Sequence, residues 1–321
     1  MKCIIQVPCY NEAPWLKVCL DALPRVLEGV ARVELLVIDD GSTDGTAEVA
    51  RACGVNHVVR LPSHLGLARA FEAGLEECLR LGANIIVNTD ADNQYAASDI
   101  PQLIRPIVDG TAEYVIGERA IDAIRSFSPA KRALQRLGSA VVRRLSRTRI
   151  VDAPSGFRAL SRRAAQRLQV FTEFTYTHET IIQAGRQGFA ITTVPVRTNP
   201  DVRPSRLALS TGSYVLKSLL ALLRTYAIYR PFRLFSTIGA VLFAGGFLVG
   251  LRFLLLYAIG RGTGHLQSLV LCSILLVLGG LLLVVAILAD LIAVNRQLLE
   301  KMNFRLRALE DAQRSGAAGM S

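Results

Sequence analysis

Two uncharged stretches, Leu234 to Leu251 and Leu266 to Ala289, restrict this chain more than any other feature in it. Each is close to the ~20 apolar residues that a helix needs to cross the hydrocarbon core of a bilayer, and the first continues past Arg252 to Ile259. Segments this apolar end up inside protein or inside lipid, and little else in the 321 residues would cover two such helices. Two membrane spans are therefore expected. Composition agrees: 51% hydrophobic residues and a mean hydropathy of +0.35 are high for a soluble protein. Lys217, Arg224, Arg230 and Arg233 precede the first span, Arg296, Lys301, Arg305 and Arg307 follow the second, and only Arg261 lies between them. The positive-inside rule then puts both ends in the cytoplasm. Arg252 is expected to snorkel to the outer interface or to pair within an oligomer.

The flanks follow from the same logic. Asn199 to Arg206 is too rich in proline for regular structure and marks the end of a soluble domain over 1–204. Residues 205–233 predict an interfacial amphipathic helix, with Ser210, Ser213, Lys217 and Arg224 on one side. The spans occupy 234–294, and 295–321 read as a charged helix and tail whose leucines (Leu298, Leu299, Leu306, Leu309) suit a homo-oligomer.

The first ~120 residues alternate short apolar runs with helical patterns, the arrangement of a parallel sheet flanked by helices. Strands are expected at 3–7, 33–38, 57–60 and 113–117, and helices near 14–28, 46–53, 67–81 and 98–109. Ser42 or Thr43 is the expected cap of the second helix. The topology suits nucleotides, yet it lacks the Gly-x-Gly-x-x-Gly turn of a dinucleotide site. Beyond it, helices are expected at 130–149 and 176–187 and a last strand at 189–196. The six cysteines show no metal-ligand spacing and read as free thiols in a reducing compartment. No secretory leader is expected, because Pro8, Asn11 and Glu12 interrupt the first apolar run.

Chemistry concentrates at Asn84 to Tyr95, where Ile85, Ile86 and Val87 run straight into Asp90, Ala91 and Asp92. In a parallel sheet, the carboxyl end of a strand opens onto the ligand crevice. Closely spaced hard oxygen donors there suit Mg²⁺ or Mn²⁺, with coordination positions left over for substrate phosphates. Asp, Asn and Gln are also ordinary turn residues, so the surrounding motifs must decide. Residues 130–149 carry Lys131, Arg132, Arg136, Arg143, Arg144, Arg147 and Arg149 around an apolar stripe of Leu134, Leu137, Val141 and Leu145. That is a basic amphipathic helix, packed on the sheet, lying on anionic headgroups or receiving a phosphate. With so much basic charge beside apolar segments, the net +11 points to membrane and not to nucleic acid.

Five motifs in order complete the picture: Val7-Pro8-Cys9-Tyr10-Asn11-Glu12, Asp39 to Thr46, Gly66-Leu67-Ala68-Arg69-Ala70, Thr89 to Gln94, and Ser155-Gly156-Phe157-Arg158. Together they resemble a family 2 glycosyltransferase with the GT-A fold, an α/β Rossmann-like nucleotide-sugar domain. The interfacial helix and two transmembrane helices that follow are similar to the polyprenyl-phosphate (dolichyl-phosphate) branch. The resemblance implies a nucleotide-sugar donor, a polyprenyl-phosphate acceptor and a metal, Mg²⁺ or Mn²⁺. By matched position it implies Pro8, Tyr10, Glu12, Asp39, Asp40, Gly66 and Ala91 around the donor, and Asp90, Asp92 and Gln94 around metal and diphosphate. Tyr95 stands where many relatives have His, so it stays out of the metal set. Arg119, Arg158 and Arg203 fall where the branch uses cations near phosphates, as bidentate guanidinium geometry favours. Asp152 and Glu179 are candidates for orienting the acceptor or for a weak base, and equally for capping or ion pairing.

Two other functions compete. A processive polysaccharide synthase would carry Gln-x-x-Arg-Trp, and the one tryptophan here is Trp15. An inactive membrane scaffold would have no need to keep Asp90, Asp92 and Gln94 together.

Overall fold

The computed structural model describes residues 1–119, 129–170, 176–199, 223–260 except 225, and 266–318. Most of the 205–233 helix and Arg203 lie outside the described residues. Two units form, Met1–Leu222 with Arg307–Ser321, and Leu223–Leu306.

The first unit is built on β1 (Lys2–Cys9), a strand buried along nearly its whole length. Such a run needs neighbours on both edges and cover on both faces. β2 (Arg32–Asp39) and β4 (Ile85–Asn88) pair with it in parallel, and β3 (His57–Arg60) extends the sheet beyond β2. On the other side lie β5 (Tyr114–Arg119), β6 (Arg158–Ser161) and β7 (Ile191–Val196), giving the order β3-β2-β1-β4-β6-β5-β7. The parallel arrangement expected of the early strands is present, with one element against the grain. β6 runs antiparallel to both β4 and β5. Its first residue, Arg158, pairs with Asn88, the last residue of β4, so the chain enters β6 at the edge where β4 leaves. The Asp152–Phe157 loop is thereby pressed against the end of the acidic strand.

The helices follow from apolar spacing and stop for local reasons. α1 (Ala13–Ala22) buries Leu16, Cys19 and Leu20 and ends well short of residue 28, because Pro24 disfavours helix before it. α2 (Thr46–Ala52) is capped by neither Ser42 nor Thr43: Gly45 occupies the cap position in a left-handed conformation, and the Asp44 carboxylate accepts from the Thr46 amide. α3 (Leu67–Arg80) lays Phe71, Leu75 and Cys78 on the sheet, and Gly74 lets it approach, since a β-carbon there would sit 2.5 Å from Gln6 Oε1. α4 (Ile100–Val108) follows a 3-10 turn at Ala97–Asp99.

Farther along, α5 (Pro129–Ser146), α6 (Arg162–Arg167) and α7 (Tyr176–Arg186) complete the unit. Of the expected stripe, Leu145 is buried and Leu137 and Val141 turn outward among the described side chains. Gly138, Ser139, Val142, Leu145 and Ser146 are buried, whereas Leu137 is 51% exposed and Val141 half-buried. Small residues share this face with Val142 and Leu145 because α7 comes very close at one point, its Gly185 leaving no room for a side chain against Ser146.

The second unit holds helix Pro231–Ala258 and, as far as Leu306, helix Leu266–Ala318; Pro231–Ala258 and Gln267–Arg296 are long and apolar enough to cross a membrane. The second helix continues without a break from the expected span into the expected charged C-terminal helix. The pair meets through glycine: a β-carbon on Gly239 would lie 3.0 Å from the Gly279 carbonyl oxygen, and one on Gly246 2.9 Å from Leu275. Small residues at such crossings let helix backbones pack closely in lipid. The outer faces present Phe247, Leu254, Val277 and Ile292 to the surroundings.

Gly185→Ala tests the α5–α7 crossing. Its methyl would fall 2.2 Å from the Ser146 carbonyl oxygen, so a loss of about 1–3 kcal/mol is expected, read as a lower thermal midpoint in detergent.

Candidate active site at the carboxyl edge of the sheet

Strand register sets the frame. β1 and β2 finish side by side at Cys9 and Asp39, and β4 finishes one strand away on the other side of β1. Strand spacing sets β2 and β4 about 10 Å apart sideways, β4 ending level with Gln6 and β2 level with Cys9, and two groups of side chains gather beyond these ends.

The first group lies at β1, β2 and β3. Asp39 is buried; its Oδ1 accepts from the Ser42 amide at 2.9 Å, while Oδ2 lies 3.4 Å from Arg60 Nε and has no hydrogen bond. Asp40 is committed to structure. It accepts from the amides of Leu65 and Gly66 at 2.8 and 2.9 Å and pairs with His64 Nδ1 at 2.8 Å, so it holds the loop that carries Gly66. Gly41, at φ +70°, makes room for that loop, since a β-carbon would meet the Ser63 carbonyl carbon at 2.5 Å. The Tyr10 ring stacks on His64 at 3.7 Å and stays partly exposed. Pro8 sits within β1, and Glu12 is buried. His64 was not singled out by the sequence: nothing local reveals a stack between residues that far apart.

The second group lies beyond β4. Asp90 is half-buried and Ala91 buried. Asp92 Oδ1 accepts from the Gln94 amide at 3.1 Å, and Asn93 between them is left-handed at φ 54°. This tight turn aims Asp90 and Asp92 from one short loop. Gly156 closes on it: a β-carbon there would lie 2.8 Å from Asp90 Oδ2. Tyr95 locks Gly156 in turn, its hydroxyl accepting from the Gly156 amide at 3.0 Å and its ring stacking on Phe157. Asn199 ties the far side down, donating to the carbonyls of Asn93 and Tyr95. Behind the loop, the Cys19 thiol donates to the Asp90 carbonyl at 3.5 Å, and burial, then the neighbouring Asp92, pushes its pKa up to about 12.

The candidate arginines divide. Arg119 forms a buried fork with Asp152, Nε to Oδ2 at 2.7 Å and Nη2 to Oδ1 at 3.0 Å, and its Nη1 reaches Gln94 Oε1 at 3.4 Å. Burial opposes the Arg119 charge, but Tyr95 and Asp152 outweigh it and raise the pKa further. Asp152 is thus held as an ion-pair partner. Arg158 is fully buried; Ser155 and Ala153 carbonyls take its Nε and Nη2, and Tyr114, Thr180 and the Thr177 carbonyl surround Nη1. It braces the loop from behind and does not reach the crevice. Glu179 is buried in the first turn of α7. Beside it, burial, and then the Arg158 charge, lowers the His178 pKa to about 4.

Do these residues suit a divalent metal? The Asp90 and Asp92 carboxylates are hard oxygen donors, and Gly156 leaves the Asp90 carboxylate the space it needs. No group of three or more His, Cys, Asp or Glu gathers among the described residues. Two carboxylates from one loop, without a full protein cage, fit the way Mg²⁺ or Mn²⁺ is bound together with substrate phosphates. Gln94 turns its carbonyl oxygen toward Arg119.

The sequence model of Glycosyl transferase family 2 matches residues 4–169, which span both groups and the loop between them. The chain belongs to glycosyl transferase family 2. It is similar to a polyprenol monophosphomannose synthase of Mycolicibacterium smegmatis, 28% identical over 204 residues, 60% of this chain and 76% of the relative. A UDP-N-acetylglucosamine–dolichyl-phosphate N-acetylglucosaminyltransferase of Methanococcus voltae is 29% identical over 217 residues, 60% of this chain and 83% of that one. Glycosyltransferase AglJ of Haloferax volcanii is 28% identical over 299 residues, 90% of this chain and 93% of the relative, so that similarity extends into the apolar helices. Among solved structures, glucosyl-3-phosphoglycerate synthase of Mycobacterium tuberculosis, in complex with Mn²⁺, UDP-glucose and phosphoglyceric acid, shares the fold. Its TM-score is 0.53 at 22% identity, covering 69% of this chain and 79% of that one.

Two substitutions probe the geometry of this family 2 site. Gly156→Ala would push a methyl into the Asp90 carboxylate, and Mn²⁺ binding, followed by electron paramagnetic resonance, is expected to weaken about 10–100-fold. His178 gives a pH signature. Its unfolded-state pKa exceeds its folded value of about 4, so the unfolded chain takes the proton first and the stability owed to neutral His178 falls as pH drops from about 6.5 toward 4. His178→Gln is expected to flatten that part of the acid profile in urea titrations.

Proposed function

We propose that the chain is a membrane-bound inverting glycosyltransferase that moves a hexose from a nucleotide-sugar to a polyprenyl phosphate. The observation that carries this reading is the single-loop pair Asp90 and Asp92 at the carboxyl end of β4, in a family 2 domain whose chain continues into two candidate spans. The relatives in Mycolicibacterium and Methanococcus are named for transfer to polyprenol or dolichyl phosphate, which supports a lipid-phosphate acceptor. UDP-hexose is the first donor to examine and GDP-mannose the second. The proposed division is a catalytic domain over 1–204, an interfacial helix over 205–233, spans over 234–294 and a C-terminal helix and tail over 295–321. The catalytic domain and both termini are assigned to the cytoplasm.

In this mechanism Tyr10 and Asp39 flank the nucleoside, with Asp40 keeping the Gly66 loop beside them. Asp90 and Asp92 would hold Mg²⁺ or Mn²⁺, which when bound neutralises charge developing on the departing diphosphate. An oxygen of the lipid phosphate attacks the anomeric carbon, its bond forming as the bond to the diphosphate oxygen breaks, with inversion at that carbon. The acceptor is anionic near neutral pH, because second ionisations of phosphates lie near ~6. A strong base is unnecessary, in keeping with Asp152 engaged by Arg119 through both oxygens. Arg119 steadies the Gln94 side of the loop, and Arg203 and Glu179 are proposed near the acceptor phosphate.

The test is transfer of labelled sugar to a short polyprenyl phosphate by purified protein, across UDP- and GDP-sugars. Product is expected with one donor, abolished by chelator and reduced about 100-fold or more in Asp92→Asn. Nucleotide binding with no product from any donor would favour the scaffold reading or a different lipid acceptor.

A further inference from the structure

We infer that the outward face of α5 and of the turn after it is a docking surface for the anionic headgroups of a bilayer. From Ala123 to Val151 the sequence has no acidic residue. On the outward side of α5 and in the turn after it, Arg144, Arg147 and Arg149 are exposed. Among these arginines sit Leu137 and Val151, 51% and 49% exposed. The mixture decides the occupant. A site for phosphate alone needs guanidinium groups and has no use for exposed Leu and Val, whereas a bilayer surface offers anionic headgroups to the first and the acyl boundary to the second. An acidic protein surface would match the charge and leave the two apolar side chains unexplained. The same chain carries two candidate spans, so a bilayer is within its reach. The inner face has its own cover, Val142, Leu145 and Ser146 being buried with α7 packed closely against Ser146.

This inference rests on the chain being membrane-bound, and the experiment separates the two. Full-length protein is reconstituted into vesicles of phosphatidylcholine alone or mixed with phosphatidylglycerol, each with brominated acyl chains as quencher. Trp15, the one native tryptophan, is replaced by Phe, and Leu137→Trp reports the α5 face while Phe247→Trp, in a separate protein, reports the first apolar helix. The expected result is quenching of Phe247→Trp in both vesicles, and of Leu137→Trp only with phosphatidylglycerol and only at low salt, where screening is weak. Arg144→Gln and Arg147→Asn should each reduce the ratio of docked to undocked face about fivefold. Asn tolerates the left-handed backbone of Arg147, at φ 58°. An unquenched Leu137→Trp beside a quenched Phe247→Trp overturns the surface and leaves the membrane reading intact. Equal quenching in phosphatidylcholine overturns it too, since charge would then not hold the face down. If Phe247→Trp is unquenched, both readings fall.

Discussion

A buried guanidinium, that of Arg158, is the interaction on which the site depends. Taking a charge out of water costs several kcal/mol unless hydrogen bonds replace its hydration. Here the acceptors are supplied by Ser155 and Ala153 on its own loop, by Tyr114 on β5, and by Thr177 and Thr180 on α7. The rings of Tyr114 and Tyr176 lie 5.8 and 5.5 Å from the guanidinium carbon and add cation–π stabilisation. One side chain thus ties two strands, a loop and a helix to a common point. Burial, and then the charge of Arg158, keeps His178 neutral beside this cluster.

From that point the constraint passes outward through the loop. Asp152 lies just before the segment braced by Arg158 and clamps Arg119; Gly156 lies within it and sets the wall against Asp90. Asn88 reinforces the junction by donating to the Gly156 carbonyl at 2.8 Å. The acidic loop therefore rests on a floor of hydrogen-bonded polar groups, Asn88 and Arg158 foremost. Such a floor fixes positions more sharply than apolar packing, because each hydrogen bond has a preferred direction and leaving one unmade is expensive.

Much of this architecture could be read from the chain. β1, β2 and β4 are legible because each is a short apolar run with turn chemistry after it, and α3 because its apolar residues recur at helical spacing. Asp90 and Asp92 were legible as a pair because adjacency in sequence is adjacency in space at a strand end. The arginines were not. Arg119, Arg158 and the exposed set on α5 are the same residue type in similarly mixed surroundings, yet one pairs with Asp152, one is buried and the others face outward. Likewise Leu137, Val141 and Leu145 share helical spacing, yet only Leu145 of the three is buried, because α5 is turned to set Ser146 against Gly185 of α7.

The sequence by itself determined the order of strands and helices, the two apolar spans and the acidic pair, since each is a matter of neighbours a few residues apart along the chain. Only the tertiary structure decided the reversed direction of β6, the stacking of Tyr10 on His64, the place of Tyr95 against Gly156 and which cations meet solvent. Those depend on groups far apart in sequence, Tyr10 and His64 or Asn88 and Tyr176, whose contacts exist only once the sheet has registered its strands. Local periodicity tells a segment what shape to take, and the partners that fold against it determine which of its faces is used.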